Sequence, residues 1–314
     1  MVELNGKKIL VTFLMHLGDL TLTTPFIHAL RKAAPDARIT MLVDEKLKDV
    51  VLFNPYLDEV VTIDKKGRDN SILSLWACSR HLSKLDFDVL INLHPNERCS
   101  FIDAMTSVKL RTGTTHKIFK WFWDVFTPLD RSMHAADMYL DVLQQLGVQD
   151  LSNNGLEIFP GEEHFLEAEL FWQEQNITDQ DKLIGFNIGS AVPTKRWPPE
   201  RFAEVADIFA AKGYKTVFFG GPMDEEMVAK ATGYMQTRPI IATGHFAIGG
   251  LAAAMRRCCL IITNDSGPMH VAISQKVPIV AMYGPSNPKL YGPYTKDAVI
   301  VTAQPPCQGC ADGM

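Results

Sequence analysis

Residues 260–270 of this chain are Leu-Ile-Ile-Thr-Asn-Asp-Ser-Gly-Pro-Met-His. The first half is a β-branched apolar run, which predicts a buried strand. Asp265 and Ser266 are typical helix caps and Pro268 is typical of a first helical turn, so a helix is expected to begin there. Such a junction places backbone N–H groups and the positive end of a helix dipole at the carboxyl edge of a sheet. That arrangement favours a phosphate or a diphosphate, although an ordinary strand–helix turn has the same local pattern.

Short apolar strands and amphipathic helices alternate along most of the chain, which predicts parallel sheets covered by helices. The predicted strands are residues 8–14, 38–43, 59–63 and 88–93 in the first half, and 182–187, 215–219, 260–264 and 277–282 in the second. Residues 150–163 have the Ser-, Asn-, Gly- and Pro-containing composition of a linker. We therefore predict an α/β protein of two domains, residues 1–155 and 156–314.

The composition is that of a globular protein, with 46% hydrophobic and 21% charged residues among 314. A net charge of −5 argues against a general nucleic-acid binder. The N-terminus has no signal-peptide pattern, and no apolar stretch approaches the roughly 18 residues of a membrane-spanning helix. We expect a cytoplasmic protein.

Six cysteines are too few for a disulfide framework. Cys78, Cys99, Cys258 and Cys259 lie in apolar or helical surroundings and are expected to be buried thiols. The final pair, Cys307 and Cys310, forms a CxxC motif that supplies only two of the four ligands of a structural zinc. We expect that pair to lie in a flexible tail.

Residues 109–123 interrupt the strand–helix alternation. This segment interleaves basic residues with aromatic ones, namely Lys109, Arg111, His116, Lys117 and Lys120 with Phe119, Trp121, Phe122 and Trp123. Such a stretch can bind an anionic amphiphile, a sugar phosphate or a membrane surface. A partly packed surface segment, whose lysine stems cover apolar side chains, has the same composition. Both interpretations stay open on the sequence.

Polar clusters follow the strands of the second half, where parallel sheets bind their ligands. The clusters are Gly189-Ser190 with Lys195, Gly220-Gly221 with Asp224 and Glu225, Asp265-Ser266-Gly267 with His270, and Gly284-Pro285-Ser286. A lysine on one loop and a helix N-terminus on another can hold a diphosphate. Asp224 or Glu225 can accept hydrogen bonds from ribose hydroxyls, or can simply cap a helix.

The first half contributes one comparable pair, Gly18 and Asp19. Gly18 lets the backbone turn closely, and Asp19 is expected to project from the loop toward the second domain, where a carboxylate can act as a general base. The chain has no GxGxxG after its first strand, no GxxxxGK[ST] and no HExxH. These absences argue against a dinucleotide-dependent dehydrogenase, a P-loop enzyme and a catalytic metal motif.

Together these motifs resemble the ADP-heptose:lipopolysaccharide heptosyltransferase family (glycosyltransferase family 9). The resemblance covers nearly the whole chain and depends on the order and spacing of Gly18-Asp19, Thr24-Pro25, Asn92-Leu93-His94, Arg111-Thr112-Gly113, residues 195–198, Gly220-Gly221-Pro222, Thr243-Gly244 and residues 265–270. It implies the GT-B fold, with two Rossmann-like domains facing across a cleft. GT-B enzymes commonly end with a helix that crosses back onto the first domain, and no such helix is predicted after Thr302.

The resemblance also implies roles for individual residues. Asp19 would deprotonate the acceptor hydroxyl, and Lys195 would neutralise the diphosphate as it leaves. The implied donor site comprises Gly18, Ser190, Asp224, Glu225, Asp265, Ser266, Gly267 and His270. Candidate acceptor-side residues are His94, Lys117, Lys120 and Trp121.

The implied reaction is an inverting, metal-independent transfer of a heptose or related sugar from ADP-heptose to a lipopolysaccharide-core or related lipid-linked glycan. No cofactor and no nucleic acid is implied, and peripheral contact with the inner face of the cytoplasmic membrane is expected for such an acceptor. Two alternatives remain. One is a GT-B-like sugar-nucleotide epimerase, and the other is a catalytically silent subunit that binds a nucleotide sugar or glycan. The presence of both Asp19 and Lys195 argues against the silent subunit.

Overall fold

The computed structural model describes residues 2–302, so Cys307, Cys310 and the segment after Thr302 lie outside the described part of the chain. The chain divides into two compact units, one ending at Asn154 and the other beginning at Gly155. Each unit has a parallel sheet flanked by helices, as the strand–helix alternation predicted.

Between residues 2 and 154 the sheet has six parallel strands in the order β3-β2-β1-β4-β5-β6. The strands are β1 (Lys8–Thr12), β2 (Arg38–Asp44), β3 (Glu59–Ile63), β4 (Phe87–Asn92), β5 (Val108–Gly113) and β6 (Val125–Phe126). The helices are α1 (Leu17–Thr21), α2 (Thr24–Ala33), α3 (Ile72–Ser83), α4 (Glu97–Met105) and α5 (Ala135–Gln145), with 3₁₀ helices at Glu45–Val50 and Lys117–Phe122. Because β2 and β3 lie on one side of β1 while β5 and β6 lie beyond β4, the strand order reverses between β1 and β4.

The second unit repeats this topology, with the order β12-β11-β10-β7-β8-β9 between residues 155 and 302. Its strands are β7 (Leu183–Asn187), β8 (Lys215–Phe219), β9 (Ile240–Ile241), β10 (Cys258–Asn264), β11 (Ile279–Tyr283) and β12 (Ala298–Thr302). Its helices are α6 (Glu162–Glu174), α7 (Pro199–Ala211), α8 (Glu225–Tyr234), α9 (Ile248–Met255), α10 (Gly267–Ser274) and α11 (Pro288–Tyr291), with 3₁₀ helices at Pro193–Lys195 and Pro222–Asp224. The order reverses between β7 and β10. The predicted junction is confirmed, since β10 ends at Asn264 and α10 begins at Gly267.

The interpretation of residues 109–123 as a break in the alternation is wrong for its first half. Val108–Gly113 is strand β5, which pairs with β4 on one side and β6 on the other. Its basic side chains are held by neighbours: Lys109 Nζ lies 2.7 Å from Asp88 Oδ1, and Arg111 Nε donates to the Asp103 carbonyl at 3.1 Å. Helix α4 and strand β12 were also not predicted.

The prediction of buried thiols is only partly confirmed. Cys99 and Cys258 are buried, Cys78 is half-buried, and Cys259 is exposed. Cys259 lies near the start of β10, where the pairing with β7 shifts register between Cys258 and Leu260. Its thiol donates to the Leu183 carbonyl at 3.0 Å.

Candidate functional site

The predicted donor residues of the second unit gather where its strand order reverses. Ser190 and Lys195 follow β7, and residues 265–270 follow β10, the neighbouring strand. In parallel α/β sheets this reversal leaves a crevice beyond the carboxyl ends of the two strands, which is the usual place for a ligand. The sequence placed each cluster after a strand, and the strand order brings these two clusters together.

Hydrogen bonds join the two loops. Asn187, the last residue of β7, donates from Nδ2 to Thr263 Oγ1 at 3.0 Å and to Ser266 Oγ at 2.9 Å. Asn264, the last residue of β10, donates from Nδ2 to the Ile188 carbonyl at 2.7 Å and accepts from the Trp197 N–H at 2.9 Å. The two strand ends therefore form one fixed support.

Lys195 and Asp265 form an ion pair on this support. Lys195 Nζ lies 2.7 Å from Asp265 Oδ2, and the exposed fractions of the two side chains are 24% and 6%. Ser190 is also buried there, and its hydroxyl donates to the Asp265 carbonyl at 3.3 Å. Burial raises the pKa of Tyr283, and the nearby Asp265 carboxylate raises it further. Asp265 therefore lies among Lys195, Ser190 and Tyr283.

Helix α10 begins beside this ion pair. Ser266 is its N-cap residue and Pro268 lies in its first turn, as predicted, but the Ser266 hydroxyl does not cap the helix. That hydroxyl accepts from Asn187 instead, so the first helical N–H groups are left to backbone, solvent or a ligand. His270, the fourth residue of α10, is buried. The N-terminus of α10 and Lys195 together provide positive charge at one place.

The structure distinguishes Asp224 from Glu225. Asp224 Oδ2 accepts from the Gly221 N–H at 2.9 Å, and its carboxylate presses on Gly189, where an added Cβ would lie 2.2 Å from Oδ1. Asp224 thus packs the loop after β8 against the loop after β7. Glu225 is exposed in the first turn of α8, against Gly244, where an added Cβ would meet Oε1 at 3.0 Å. Glu225 is the better placed of the two to accept hydrogen bonds from a ligand.

In the first unit, Asp19 lies in the first turn of helix α1, directly after β1. It is half-buried rather than projecting from a loop. Gly18 is the second residue of the same helix, so the expectation of a close backbone turn at this glycine is wrong. The helix begins straight after His16, whose carbonyl accepts from the Leu20 N–H at 2.9 Å.

His94 follows β4 across the strand reversal from α1. Its backbone N–H donates to Asn92 Oδ1 at 2.8 Å, and its ring lies edge-on to Phe13. Burial, together with the nearby charges of Arg131 and His16, lowers the pKa of His94 to about 4. His94 is therefore a neutral imidazole near pH 7.

The remaining acceptor-side candidates lie on the 3₁₀ helix Lys117–Phe122. Trp121 is 95% exposed, and Lys117 and Lys120 are exposed beside it. Trp123 at the end of the segment is buried and donates from Nε1 to the Thr112 carbonyl at 3.1 Å. Trp123 is thus packed, as the interpretation of a partly packed segment predicts, while Trp121 is not, and the binding interpretation stays a prediction.

Across residues 2–302, no three His, Cys, Asp or Glu side chains are grouped as a metal site would require. Over the same range, no helix has the length and apolar character to cross a bilayer.

Comparison with known proteins assigns the chain to a family. The sequence model of glycosyltransferase family 9 (heptosyltransferase) matches residues 75–313. The chain belongs to this family. The glycosyltransferase and heptosyltransferase assignments made from the motifs are therefore confirmed.

Three relatives illustrate the match. The crystal structure of a family 9 glycosyl transferase from Veillonella parvula is 55% identical, with a TM-score of 0.95, over 99% of this chain and 92% of that one. Lipopolysaccharide heptosyltransferase 3 of Escherichia coli K12 is 24% identical over 90% of this chain and 84% of its own length. The E. coli ADP-heptose lipopolysaccharide heptosyltransferase II has a TM-score of 0.81 at 22% identity, over 94% of this chain and 90% of that one. These likenesses confirm the predicted GT-B fold.

Two residues that support the candidate sites of this family 9 chain, Asn187 and Lys65, were not predicted from the sequence. Asn187 joins β7 to the start of α10. In the first unit, Lys65 Nζ donates to the carbonyls of Leu14 and Met15 and lies 3.1 Å from Asp44 Oδ2, which holds the turn that leads into α1. A polar residue at the end of an otherwise buried strand was the available signal for Asn187. No local signal identified Lys65.

Proposed function

We propose that this chain is an inverting heptosyltransferase that moves a heptose or related sugar from ADP-heptose to a lipopolysaccharide-core or related glycan. In the proposed step the Asp19 carboxylate takes the proton of an acceptor hydroxyl, whose oxygen attacks the anomeric carbon. The bond between that carbon and the diphosphate oxygen breaks, and ADP leaves with the electron pair. The proton on Asp19 then passes to water. General-base assistance of this kind contributes roughly 10²–10⁴-fold.

The observation that carries the proposal is the corner of the second unit where Lys195, paired with Asp265, meets the N-terminus of α10. Lys195 is anchored 2.7 Å from Asp265 on the loop that begins α10, and the helix N-terminus adds the positive end of its dipole. A leaving diphosphate develops negative charge on its bridging oxygen, and fixed cationic and N–H groups stabilise that charge best when they are already in position. We infer that these groups supply the charge stabilisation without a divalent ion.

The nucleoside is assigned to the loops on the β8 side of this corner. Asp224 is engaged with Gly221, whereas Glu225 is exposed beside Gly244. We propose that Glu225 accepts hydrogen bonds from the ribose hydroxyls and that Asp224 shapes the loop beneath. The name of the E. coli heptosyltransferase II structure specifies ADP-heptose for that protein, and we extend this donor to the present chain.

The acceptor is assigned to the first unit, where Asp19 and His94 follow neighbouring strands. His94 is uncharged near neutral pH, so it can donate or accept one hydrogen bond to a sugar hydroxyl without competing for the proton that Asp19 takes. The E. coli K12 relative is a lipopolysaccharide heptosyltransferase by its name. We propose a lipid-linked acceptor, and therefore a cytoplasmic enzyme that contacts the inner face of the cytoplasmic membrane.

The first test is calorimetric titration with ADP, GDP and UDP, each in the presence of Mg²⁺ and of EDTA. We expect ADP to bind most tightly and EDTA to leave its affinity unchanged. Tighter binding of UDP would instead favour the sugar-nucleotide epimerase. Binding of none of the three would favour a silent glycan-binding subunit, provided that the protein is folded by circular dichroism.

The second test is transfer itself. The protein is incubated with ADP-heptose and a lipopolysaccharide-core acceptor that lacks heptose, and the product linkage is examined by NMR. We expect one anomeric configuration, opposite to that of the donor. A product of retained configuration would overturn the assignment of Asp19 as the base.

A further inference from the structure

Helix α3 of the first unit has an apolar face that is largely exposed in the described part of the chain. Leu75 and Leu82 point into the core, while Leu73, Trp76 and Arg80, spaced three and four residues apart, lie on the outward side. Leu73 is 78% exposed and Trp76 is 52% exposed. Ile72 at the start of the helix is exposed as well. A globular protein rarely leaves several large apolar side chains together in water without a partner for them.

The 3₁₀ helix Lys117–Phe122 carries a second exposed group. Ile118, Trp121 and Phe122 are exposed, and Phe126 on β6 is exposed beside them. Lys120 Nζ lies 4.3 Å from the centroid of the Phe126 ring. An ammonium group above an aromatic ring keeps its charge outward while its stem covers apolar surface.

Both groups belong to one layer of the unit. Helix α4 contacts α3 on one side and the 3₁₀ helix on the other. Leu75 and Leu82 of α3, Ile102 of α4 and the buried Trp123 share one hydrophobic core against the sheet. The exposed side chains of α3 and of the 3₁₀ helix therefore lie on the outer side of the same helical layer, separated by α4.

The charge around these groups is basic. Residues 65–84 and 109–123 together contain nine Lys and Arg and one Asp, although Lys65, Arg68 and Lys109 form ion pairs with acidic residues outside these two segments. Lys66, Arg80 and Lys84 are exposed around α3, and Lys117 and Lys120 around the 3₁₀ helix. Of the carboxyls on α4, Asp103 is buried, and Glu97 lies 3.6 Å from His116.

We propose that this surface, Ile72, Leu73 and Trp76 with Ile118, Trp121 and Phe122, lies on an anionic lipid bilayer. Exposed tryptophans ringed by lysine and arginine are typical of segments at the interface between headgroups and acyl chains. The basic residues match the negative charge of anionic headgroups. The inference rests on the proposed function only in that a lipid-linked acceptor would be presented at the same bilayer.

The test is sedimentation of the full chain with vesicles of phosphatidylglycerol and phosphatidylcholine, compared with vesicles of phosphatidylcholine alone. The samples contain neither nucleotide sugar nor glycan, so the outcome does not depend on whether the chain is a transferase. Wild type is expected to bind the anionic vesicles and to be released by high salt. Trp76→Ser and Trp121→Ser should each lower the partition coefficient by about tenfold, since each removes one large apolar side chain from the lipid.

The matched control is Tyr234→Ser, which removes an exposed aromatic side chain of the second unit and should leave binding unchanged. Because all three residues are exposed, their thermal midpoints should match that of wild type, which excludes misfolding as the cause of a loss. Equal binding to neutral vesicles, no binding to either, or a loss confined to Trp121→Ser would overturn the proposal. So would self-association of the wild type that both tryptophan variants abolish in the absence of vesicle binding, since that result assigns the surface to a second copy.

Discussion

The ammonium nitrogen of Lys195 lies 2.7 Å from a carboxylate oxygen of Asp265, and the two residues follow neighbouring strands of the second sheet. The carboxylate is the more buried partner, so it fixes the position of the lysine rather than the reverse. It also partly neutralises the lysine, because a diphosphate that binds here has to share this cation with Asp265. The paired lysine therefore binds a diphosphate less tightly than an unpaired lysine would, but its cation is already in place when the leaving group departs.

Replacing the two partners singly should give unequal losses of stability. Lys195→Met leaves the buried Asp265 carboxylate without its cation and should lower the free energy of unfolding by about 2 kcal/mol. Asp265→Asn leaves a lysine that can reach water and should cost less than about 1 kcal/mol. Urea unfolding of both variants measures the difference, and the double variant should be more stable than Lys195→Met alone. Equal losses in the two single variants would contradict this account of the pair.

Removing the base should separate binding from chemistry. Asp19→Asn keeps the size of the side chain but cannot take a proton, so kcat/KM for transfer should fall roughly 10²–10⁴-fold. The Kd for ADP should stay within about twofold, since the nucleotide is assigned to the second unit. Steady-state kinetics measures kcat/KM, and calorimetry measures the Kd for ADP. Asp86→Asn, an exposed carboxyl in the turn before β4, is the matched control, and a rate near wild type for Asp19→Asn would refute the base assignment.

The two acidic residues after β8 should respond differently to substitution. Glu225→Gln weakens the acceptor for ribose hydroxyls and should raise the Kd for ADP about fivefold, with stability unchanged. Asp224→Asn weakens the bond from the Gly221 N–H, so it should lower stability by about 1 kcal/mol. Calorimetry and thermal unfolding distinguish the two, with Glu226→Gln as control because Glu226 pairs with Lys230 on the exposed face of α8. The reverse pattern would assign the ribose to Asp224.

The buried Asp103 predicts a pH dependence of stability. Burial raises the pKa of this carboxyl from 3.8 to about 8, although Thr12 Oγ1 donates to it at 2.9 Å. Between pH 4 and pH 8 the unfolded chain has released this proton while the folded chain retains it. Each unit of rising pH in that window therefore lowers the free energy of unfolding by up to about 1.4 kcal/mol, and above pH 8 the effect stops growing.

Asp103→Asn removes this titration while keeping an oxygen that can accept from Thr12. The variant should gain stability relative to wild type as the pH rises from 5 to 8, measured by urea unfolding at each unit. Glu97→Gln, an exposed carboxyl on the same helix, should show no such trend. A constant difference between Asp103→Asn and wild type across the range would show that Asp103 is ionised in the fold.

The sequence predicted the regular parts of this fold well, because buried parallel strands and amphipathic helices each leave a local signature. The bounds of β3 and β8 and the junction between β10 and α10 follow from such signatures. Strand β5 was missed because Lys109 and Arg111 were interpreted as a basic patch. In fact they alternate with Val108 and Leu110, and their charges are met by Asp88 and by the Asp103 carbonyl.

The sites were harder to predict, because they depend on which strands are neighbours. Asn187 and Ser266 are far apart in the chain and meet only because β7 lies beside β10. Local pattern left Asp224 and Glu225 equivalent, and the fold separates them by placing Gly189 against one and Gly244 against the other. An acid in the core, such as Asp103, has no sequence signature at all, since only packing decides whether an acidic residue on a helix faces inward.

The order of the strands also bears on how the chain acquires its structure during synthesis. Ile9 of the first strand pairs with Val89 of the fourth, and Ile184 of β7 pairs with Leu260 of β10, again the first and fourth strands of their sheet. Parallel pairing of such distant segments is slow, because the entropy cost of closing a long loop comes before any stabilising contact between the strands forms. On the ribosome, the central strand pair of each sheet cannot form until the fourth strand has emerged. The apolar first strand of each unit then depends on its helices, or on a chaperone, to shield it in the meantime.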